Sequence, residues 1–323
     1  ANGNVVFGSN GTYTYTPGNG FVGNVNFTYK VCDLGGKCNT ATVHIAVLPL
    51  PTKVTLSPKA YLQGSLFGVT GIGNNLMRDD LRVKNLIPLS SPYPDLGFTA
   101  LTATVNIAPA VLAVTGSDAI VDWVFVELRN AGNNQQVEDS RSALIQRDGD
   151  IVEVDGVFPI TFSQVSPGSY YVVIKHRNHL GVMTQLPIAL SSTPATVDFT
   201  SAATPTFRIS TSVMNQAQVE VEQGVAMWAG NALVDLVDGK VIYQGTANDV
   251  NSIYTLVTDR RVNSLETPFF KLKTYNTGDV NMNGETIFQG TGNDIEFIYQ
   301  NVIKNHSGNN LRQSNFIILE QIP

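Results

Sequence analysis

The sequence predicts a mainly β fold in three modules, and three observations carry that reading. Short runs that alternate apolar and polar residues recur as far as Phe199, the period-2 signature of half-buried strands. Clusters rich in Gly, Pro, Asn and Asp stand between them and suit turns. Helical spacing appears only later, twice, each time after a copy of one short repeat. With 43% hydrophobic and only 14% charged residues, the 323-residue chain carries enough apolar material for two or three cores.

The first module spans residues 1–50. Thr12-Tyr13-Thr14-Tyr15-Thr16, the run Val25 to Val31 and the run Thr42 to Val47 alternate as strands, with Pro17-Gly18-Asn19-Gly20 and Gly35-Gly36 as turns. Cys32 and Cys38 bracket Asp33-Leu34-Gly35-Gly36-Lys37, so a hairpin would set them opposite each other within reach of a disulfide. Such a bond implies an oxidising compartment or the cell exterior. The opening Ala1-Asn2-Gly3-Asn4-Val5-Val6 lacks the basic and leucine-rich parts of a signal peptide and reads as an entry partway into a domain. Gly11 to Pro17, then Phe21, Gly23, Phe27-Thr28-Tyr29 and the Ala41-Thr42-Val43 strand, resemble the bacterial Ig-like, cadherin-like repeats of large surface adhesins. That resemblance implies part of an Ig-like sandwich.

Leu48-Pro49-Leu50-Pro51 makes a short, stiff linker into the second module, residues 51–204. Strands are expected at Ala119 to Leu128, Ser142 to Gln146, Ile151 to Val154, Tyr170 to Lys175 and Thr196 to Phe199. Turns fall at residues 130–134, 147–150 and 166–169. No helical period lasts three turns here, so a β-sandwich is expected.

The third module, residues 205–323, holds the repeat. Gly239-Lys240-Val241-Ile242-Tyr243-Gln244-Gly245-Thr246-Ala247-Asn248-Asp249 returns as Gly284-Glu285-Thr286-Ile287-Phe288-Gln289-Gly290-Thr291-Gly292-Asn293-Asp294. Val250, Ile253, Tyr254 and Val257 follow the first copy; Ile295, Ile298, Tyr299 and Val302 follow the second. Each set has the spacing of one helix face, and Asn248-Asp249 and Asn293-Asp294 stand where an N-cap belongs. Two loop-plus-helix units that pack as a pair are expected.

Gly278-Asp279-Val280-Asn281-Met282-Asn283-Gly284-Glu285 precedes the second copy. Oxygen ligands on alternate residues followed by a turn-permitting Gly form the opening half of an EF-hand-type calcium loop. Asp279, Asn281 and Asn283 would offer side-chain oxygens and Glu285 its backbone carbonyl. The twelfth position is Gly290, so Asp294 is the replacement acidic ligand. The arrangement resembles a dockerin calcium repeat with a longer exit. With two anionic ligands, the expected affinity is weak, about 10⁻⁴ to 10⁻³ M. The same residues also suit an Asx turn with Asp294 as a helix cap. In the first copy, Val234 and Leu236 replace Asp279 and Asn281, and three extra residues spoil the loop. Asp235, Asp238 and Asp249 form a weaker second candidate.

Other classes find little support. The net charge of −6 argues against nucleic acid as a partner, and no run of 18 apolar residues exists to span a membrane as a helix. His176-Arg177-Asn178-His179 has no HExxH pattern or cysteine neighbour and reads as a buried polar turn. Asp148, Asp150, Glu153 and Asp155 read as the solvated edge of a hairpin rather than a glycosidase pair. Neither a Gly-x-Ser-x-Gly elbow nor a phosphate loop is present, so no enzyme is expected. A glycan-binding module would need exposed aromatics, and Trp123 lies inside an apolar strand while Trp228 has no assigned place.

Leu76-Met77-Arg78-Asp79-Asp80-Leu81-Arg82, Ile87-Pro88 and Pro92-Tyr93 lead into Ile120-Val121-Asp122-Trp123-Val124-Phe125-Val126-Glu127-Leu128-Arg129. Arg141-Ser142-Ala143-Leu144, Arg147 to Gly156 and His176 to Met183 complete the series. It resembles the C-terminal region of large secreted Bacteroidota proteins, including gliding-motility adhesins of the SprB type. The resemblance implies export by type IX secretion, an outer-membrane β-barrel partner of the SprF type, and a place outside the cell on its outer surface. Calcium outside the cell would then rigidify the terminal module. A dockerin-like recruiter bound to a scaffold, and a glycan-binding accessory module, are the alternative functions.

Overall fold

The computed structural model describes residues 2–48, 53–70, 75–98, 105–233 and 238–323. The chain divides into two compact units, Ala1–Thr52 and Lys53–Pro323.

The first unit is four strands in two hairpins. β1 (Gly3–Phe7) pairs antiparallel with β2 (Tyr13–Pro17), and β3 (Gly23–Cys32) pairs antiparallel with β4 (Cys38–Val47). β1 carries no strand signature in the sequence, because Gly3-Asn4-Val5-Val6-Phe7 does not alternate. The β3–β4 register runs unbroken from Gly23 opposite Val47 to Cys32 opposite Cys38. Phe27 joins the hairpins: Phe7 and Tyr13 meet its ring edge-on at 5.8 and 5.2 Å. Among the described residues of this unit none is fully buried.

The second unit contains β5 (Val54–Lys59), β6 (Ile120–Asn130), β7 (Asn133–Gln146), β8 (Ile151–Val152), β9 (Ile160–Phe162), β10 (Gly168–His176), β11 (His179–Met183), β12 (Ile188–Leu190) and β13 (Ala195–Asp198). One sheet runs β11-β10-β6-β7-β8, with β12 also on β10; a second runs β13-β5-β9, with β13 parallel to β5. Residues of both, among them Leu56, Trp123, Phe125, Phe162 and Val197, belong to one continuous buried cluster. β6 is buried along nearly its whole length. That explains why it reads as a near-continuous apolar run rather than an alternation. Its charged residues are paired: Glu127 with Arg129 at 2.8 Å and Lys175 at 3.0 Å, and Asp122 as described below.

The repeats follow. β14 (Gln218–Val221) and β15 (Gly224–Met227) form a hairpin. Each repeat then gives a short strand and a helix: β16 (Lys240–Ile242) precedes one at Asp249–Val257, and β18 (Thr286–Ile287) precedes one at Asp294–Tyr299, which continues as a π-helical turn, Gln300–Asn305. Two one-turn helices, α1 (Gln63–Leu66) and α2 (Asp80–Val83), come earlier in the chain, so the repeat helices are α3 and α4. β17 (Lys271–Leu272) pairs with β18, and β19 (Ile317–Leu319) returns to pair with β16.

Asn248 and Asn293 cap the helices by accepting from the amides of Asn251 and Glu296, each at 2.8 Å. The repeats interlock reciprocally. Tyr243 of the first lies edge-on to Tyr299 of the second at 5.3 Å, while their repeat counterparts Phe288 and Tyr254 do the same at 5.0 Å. Ile253, Val257, Ile298 and Val302 are buried, but Tyr254 is 42% exposed, and Phe297 rather than Ile295 completes the buried face of α4. The third module does not stand apart: residues on both sides of position 204 share the buried cluster of Lys53–Pro323. Among the described residues no helix is long and apolar enough to cross a membrane.

Candidate metal centre

Residues 278–285 turn sharply at Gly284, whose φ of +81° lies in the region open to glycine. Asp279 heads the turn, accepting from the amide of Asn283 at 3.0 Å through Oδ1 and from that of Gly284 at 2.8 Å through Oδ2. Asn281 Oδ1 accepts from Asn283 N–H at 3.1 Å, and Asn283 Oδ1 from Glu285 N–H at 2.8 Å. These are successive Asx turns, and each oxygen retains further acceptor capacity.

Asp294 is not the helix cap; Asn293 takes that role. The Asp294 carboxylate instead returns to the head of the loop. Its Oδ1 accepts from Val280 and Asn281 amides at 2.9 and 3.2 Å, and its Oδ2 from Ile287 N–H at 2.8 Å. The extended exit 286–293 is what delivers it. The Glu285 side chain points elsewhere, toward Lys271 and Lys273 at 3.2 and 3.3 Å.

Asp279 and Asp294 are both fully buried. Burial raises Asp279 to about 6 against the pull of Arg177. Burial, and next the charge of Asp279, push Asp294 well above the usual carboxylate range. Among the described residues no group of three or more His, Cys, Asp or Glu side chains gathers as a metal site. This loop offers two carboxylates, two amide oxygens and the Glu285 carbonyl, an all-oxygen set that suits a hard cation such as calcium.

The first repeat keeps the frame that seats the aspartate. Asp249 accepts from Ala232 and Ile242 amides, both at 2.6 Å, as Asp294 accepts from Val280 and Ile287. The bond to Ala232 spans 17 residues and its counterpart to Val280 spans 14, so the first loop is the longer by three residues. Burial raises Asp249 to about 7, with Asp238 adding repulsion. Asp235 lies outside the described residues.

His176 and His179 face each other across the β10–β11 turn, and the four residues His176 to His179 are buried. Asp122 anchors them. His176 Nε2 lies 3.1 Å from Asp122 Oδ2, Arg177 Nε donates to the same oxygen at 3.0 Å, and Tyr275 Oη donates to Oδ1 at 2.7 Å. His179 Nε2 accepts from Gly64 N–H at 3.1 Å, and its Nδ1 lies 2.8 Å from Asn178 Oδ1. Both rings therefore suit the neutral form. Burial lowers His176 despite Asp122, and burial followed by the charges of His176 and Arg177 drives His179 well below its ordinary value. Desolvation works against the Arg177 charge, yet Asp122 holds its pKa above the ordinary value.

This cluster meets the loop. Arg177 Nη1 donates to the carbonyl of Asn276 and Asn178 Nδ2 to that of Asp279 at 2.7 Å. From the other side Arg78 Nη2 donates to the carbonyl of Asn281 at 2.6 Å and Lys84 Nζ to that of Asn283 at 2.5 Å. The sequence offers one hint of Asp122, an acid inside an otherwise apolar stretch, Ile120 to Val126, and none that Arg78, Lys84 and Asn178 converge on one loop.

The remaining candidates are engaged elsewhere. Asp150 pairs with Lys59 at 2.6 Å and Glu153 with Arg141 at 2.7 Å, while Asp148 and Asp155 accept from nearby turn amides. Trp123 and Trp228 are both buried, so neither forms a surface platform.

Residues 1–46 match the bacterial Ig domain family. Bacterial Ig domains are common in surface and extracellular proteins. No curated protein and no solved structure matches the chain. Within the matched residues, Cys32 and Cys38 form a disulfide that closes the β3–β4 hairpin.

Proposed function

We propose that this chain is a non-catalytic end region of an exported surface adhesin, with Lys53–Pro323 serving as a calcium-stabilised anchoring unit outside the cell. The observation that carries this reading is the pair of buried carboxylates, Asp279 and Asp294, brought to the head of one Asx-turn loop. The bacterial Ig domain at residues 1–46 supports an extracellular setting. Export by type IX secretion and attachment to an outer-membrane barrel of the SprF type rest on the resemblance of residues 53–323.

A bound calcium ion would offset the mutual repulsion of the two carboxylates and tie the loop to the start of α4. The protein's own part is to hold Asp279, Asn281, Asn283 and the Glu285 carbonyl around one point and to return Asp294 to it. With a Kd of 10⁻⁴ to 10⁻³ M and about 1 mM calcium, linkage adds about 0.4–1.4 kcal/mol to stability. Occupancy would tighten a fold already formed, through a loop pinned to the sandwich.

Affinity purification from the native outer membrane, with mass spectrometry, tests the anchoring role. A stoichiometric β-barrel partner is expected; a soluble scaffold protein recovered in its place would refute it. Calorimetric titration tests the ion, with a weak single site expected and no heat up to about 10 mM counting against it.

A further inference from the structure

Two sequence motifs are left without a role by the loop itself: the one around Arg78-Asp79-Asp80 and the turn His176 to His179. Both end on the loop's backbone carbonyls. Arg78 bridges the Gly64 carbonyl of α1, at 3.2 Å, and the Asn281 carbonyl, at 2.6 Å. Asn178 holds the Asp279 carbonyl at 2.7 Å while its own carbonyl accepts from Gly230 N–H at 3.1 Å. Thus the carbonyls of Asp279 and Asn281 are held by the sandwich while their side chains supply candidate ion ligands.

Placing arginines beside a cation site should oppose the cation. Here each arginine carries its own counter-charge. Arg78 Nη1 pairs with Asp80 at 2.5 Å, and Arg177 Nε pairs with Asp122 at 3.0 Å. Asn178 is neutral. The clamp therefore supplies hydrogen-bond donors to the loop with little net positive charge, the combination a preformed cation site requires. Lys84 differs: it reaches the Asn283 carbonyl at 2.5 Å from an exposed position on the rim.

We infer that Arg78 and Asn178 are positioning residues that hold residues 279–283 in their ligand-presenting conformation before any ion arrives, with Asp80 cancelling the charge that Arg78 would otherwise set against the ion. The loop is then built by the sandwich rather than by the metal. The calcium part of this inference rests on the reading in the preceding subsection; the clamp itself does not.

The test uses the full chain and two readouts. Hydrogen exchange in calcium-free buffer follows the amides of Val280, Asn281, Asn283, Gly284 and Ile287, which bond to Asp279 or Asp294. Arg78→Gln and Asn178→Ala are each expected to speed exchange there at least about tenfold, with β6 and β7 amides unchanged. Unchanged loop exchange in both variants would overturn the clamp, and a variant whose β6 and β7 amides also lose protection is replaced by Arg78→Lys, expected to give a smaller change confined to the loop. Calcium titration is the second readout. Asp80→Asn leaves every bond from Arg78 to the loop in place and is expected to weaken calcium several-fold, the loss shrinking as salt is raised. Equal affinity in Asp80→Asn and the natural protein would refute the charge-cancelling role. A natural protein that binds no calcium would defeat the metal reading alone, leaving the exchange result to judge the clamp.

Discussion

Gln63 and Asn301, 238 residues apart, exchange side-chain hydrogen bonds: Gln63 Nε2 donates to Asn301 Oδ1 at 2.7 Å, and Asn301 Nδ2 donates to Gln63 Oε1 at 2.8 Å. Gln63 Oε1 also accepts from Ala229 N–H at 3.0 Å, and Asn301 Nδ2 donates to the Ala229 carbonyl at 2.8 Å. One buried amide pair thus ties α1, the strand end after β15 and the turn after α4 into a single unit.

Truncating either member leaves a buried polar partner unsatisfied. Gln63→Ala and Asn301→Ala are each expected to cost about 1–3 kcal/mol in urea unfolding. The double variant should cost less than their sum. Additive losses would mean the two amides act independently.

Gly64 marks the closest approach of α1 to the loop. A Cβ there would lie 2.1 Å from the Val280 carbonyl oxygen, a backbone atom that cannot swing aside. Gly64→Ala is expected to destabilise Lys53–Pro323 by about 3 kcal/mol or more, at the upper end for a single substitution. A thermal melt within about 2 °C of the natural protein's would contradict this contact.

Asp294 serves the fold whether or not an ion binds. Asp294→Asn puts an amide N–H toward one of three backbone donors, so it should cost about 1–3 kcal/mol even in chelator. It should also remove any calcium-dependent rise in Tm, which for the natural protein is expected to be about 1–5 °C. A variant as stable as its parent in chelator would show that the three amide bonds contribute nothing.

His306 stacks on Trp228 at 5.3 Å, and its Nδ1 accepts from Gly308 N–H at 3.1 Å. Burial lowers it from 6.5 to about 4. A depressed folded value means the unfolded chain takes up the proton first. The stabilising contribution is therefore complete above pH 6.5 and is lost as pH falls through about 4. His306→Phe keeps an aromatic ring against Trp228 and Phe316 and should flatten the stability–pH curve over that window. An unchanged acid limb would place the proton uptake elsewhere.

The disulfide closes a short loop in the first unit, from Cys32 to Cys38. Replacing both cysteines with serine should destabilise that hairpin by about 2 kcal/mol through chain entropy. Exchange should rise in β3 and β4. No change there would indicate that the 10-residue β3–β4 ladder suffices without the bond.

The sequence by itself determined the features whose causes are local. Alternation marked β2, β3 and β4, the Asn caps and apolar spacing marked α3 and α4, and the Asp-x-Asn-x-Asn-Gly spacing marked the turn at residues 279–284. It also showed that the first repeat had three surplus residues. Only the tertiary structure decided the rest. β5 pairs with β9 and β13, more than 100 residues downstream, and β6 lost its alternation because both its faces are covered. Asp294 became an acceptor for three loop amides because Asn293 already caps α4. The grip of Arg78 and Asn178 on the loop had no sequence signature, because it reads backbone carbonyls, which every residue carries. Local propensity is written in neighbouring side chains; which distant carbonyl a buried donor reaches is settled only when the chain packs.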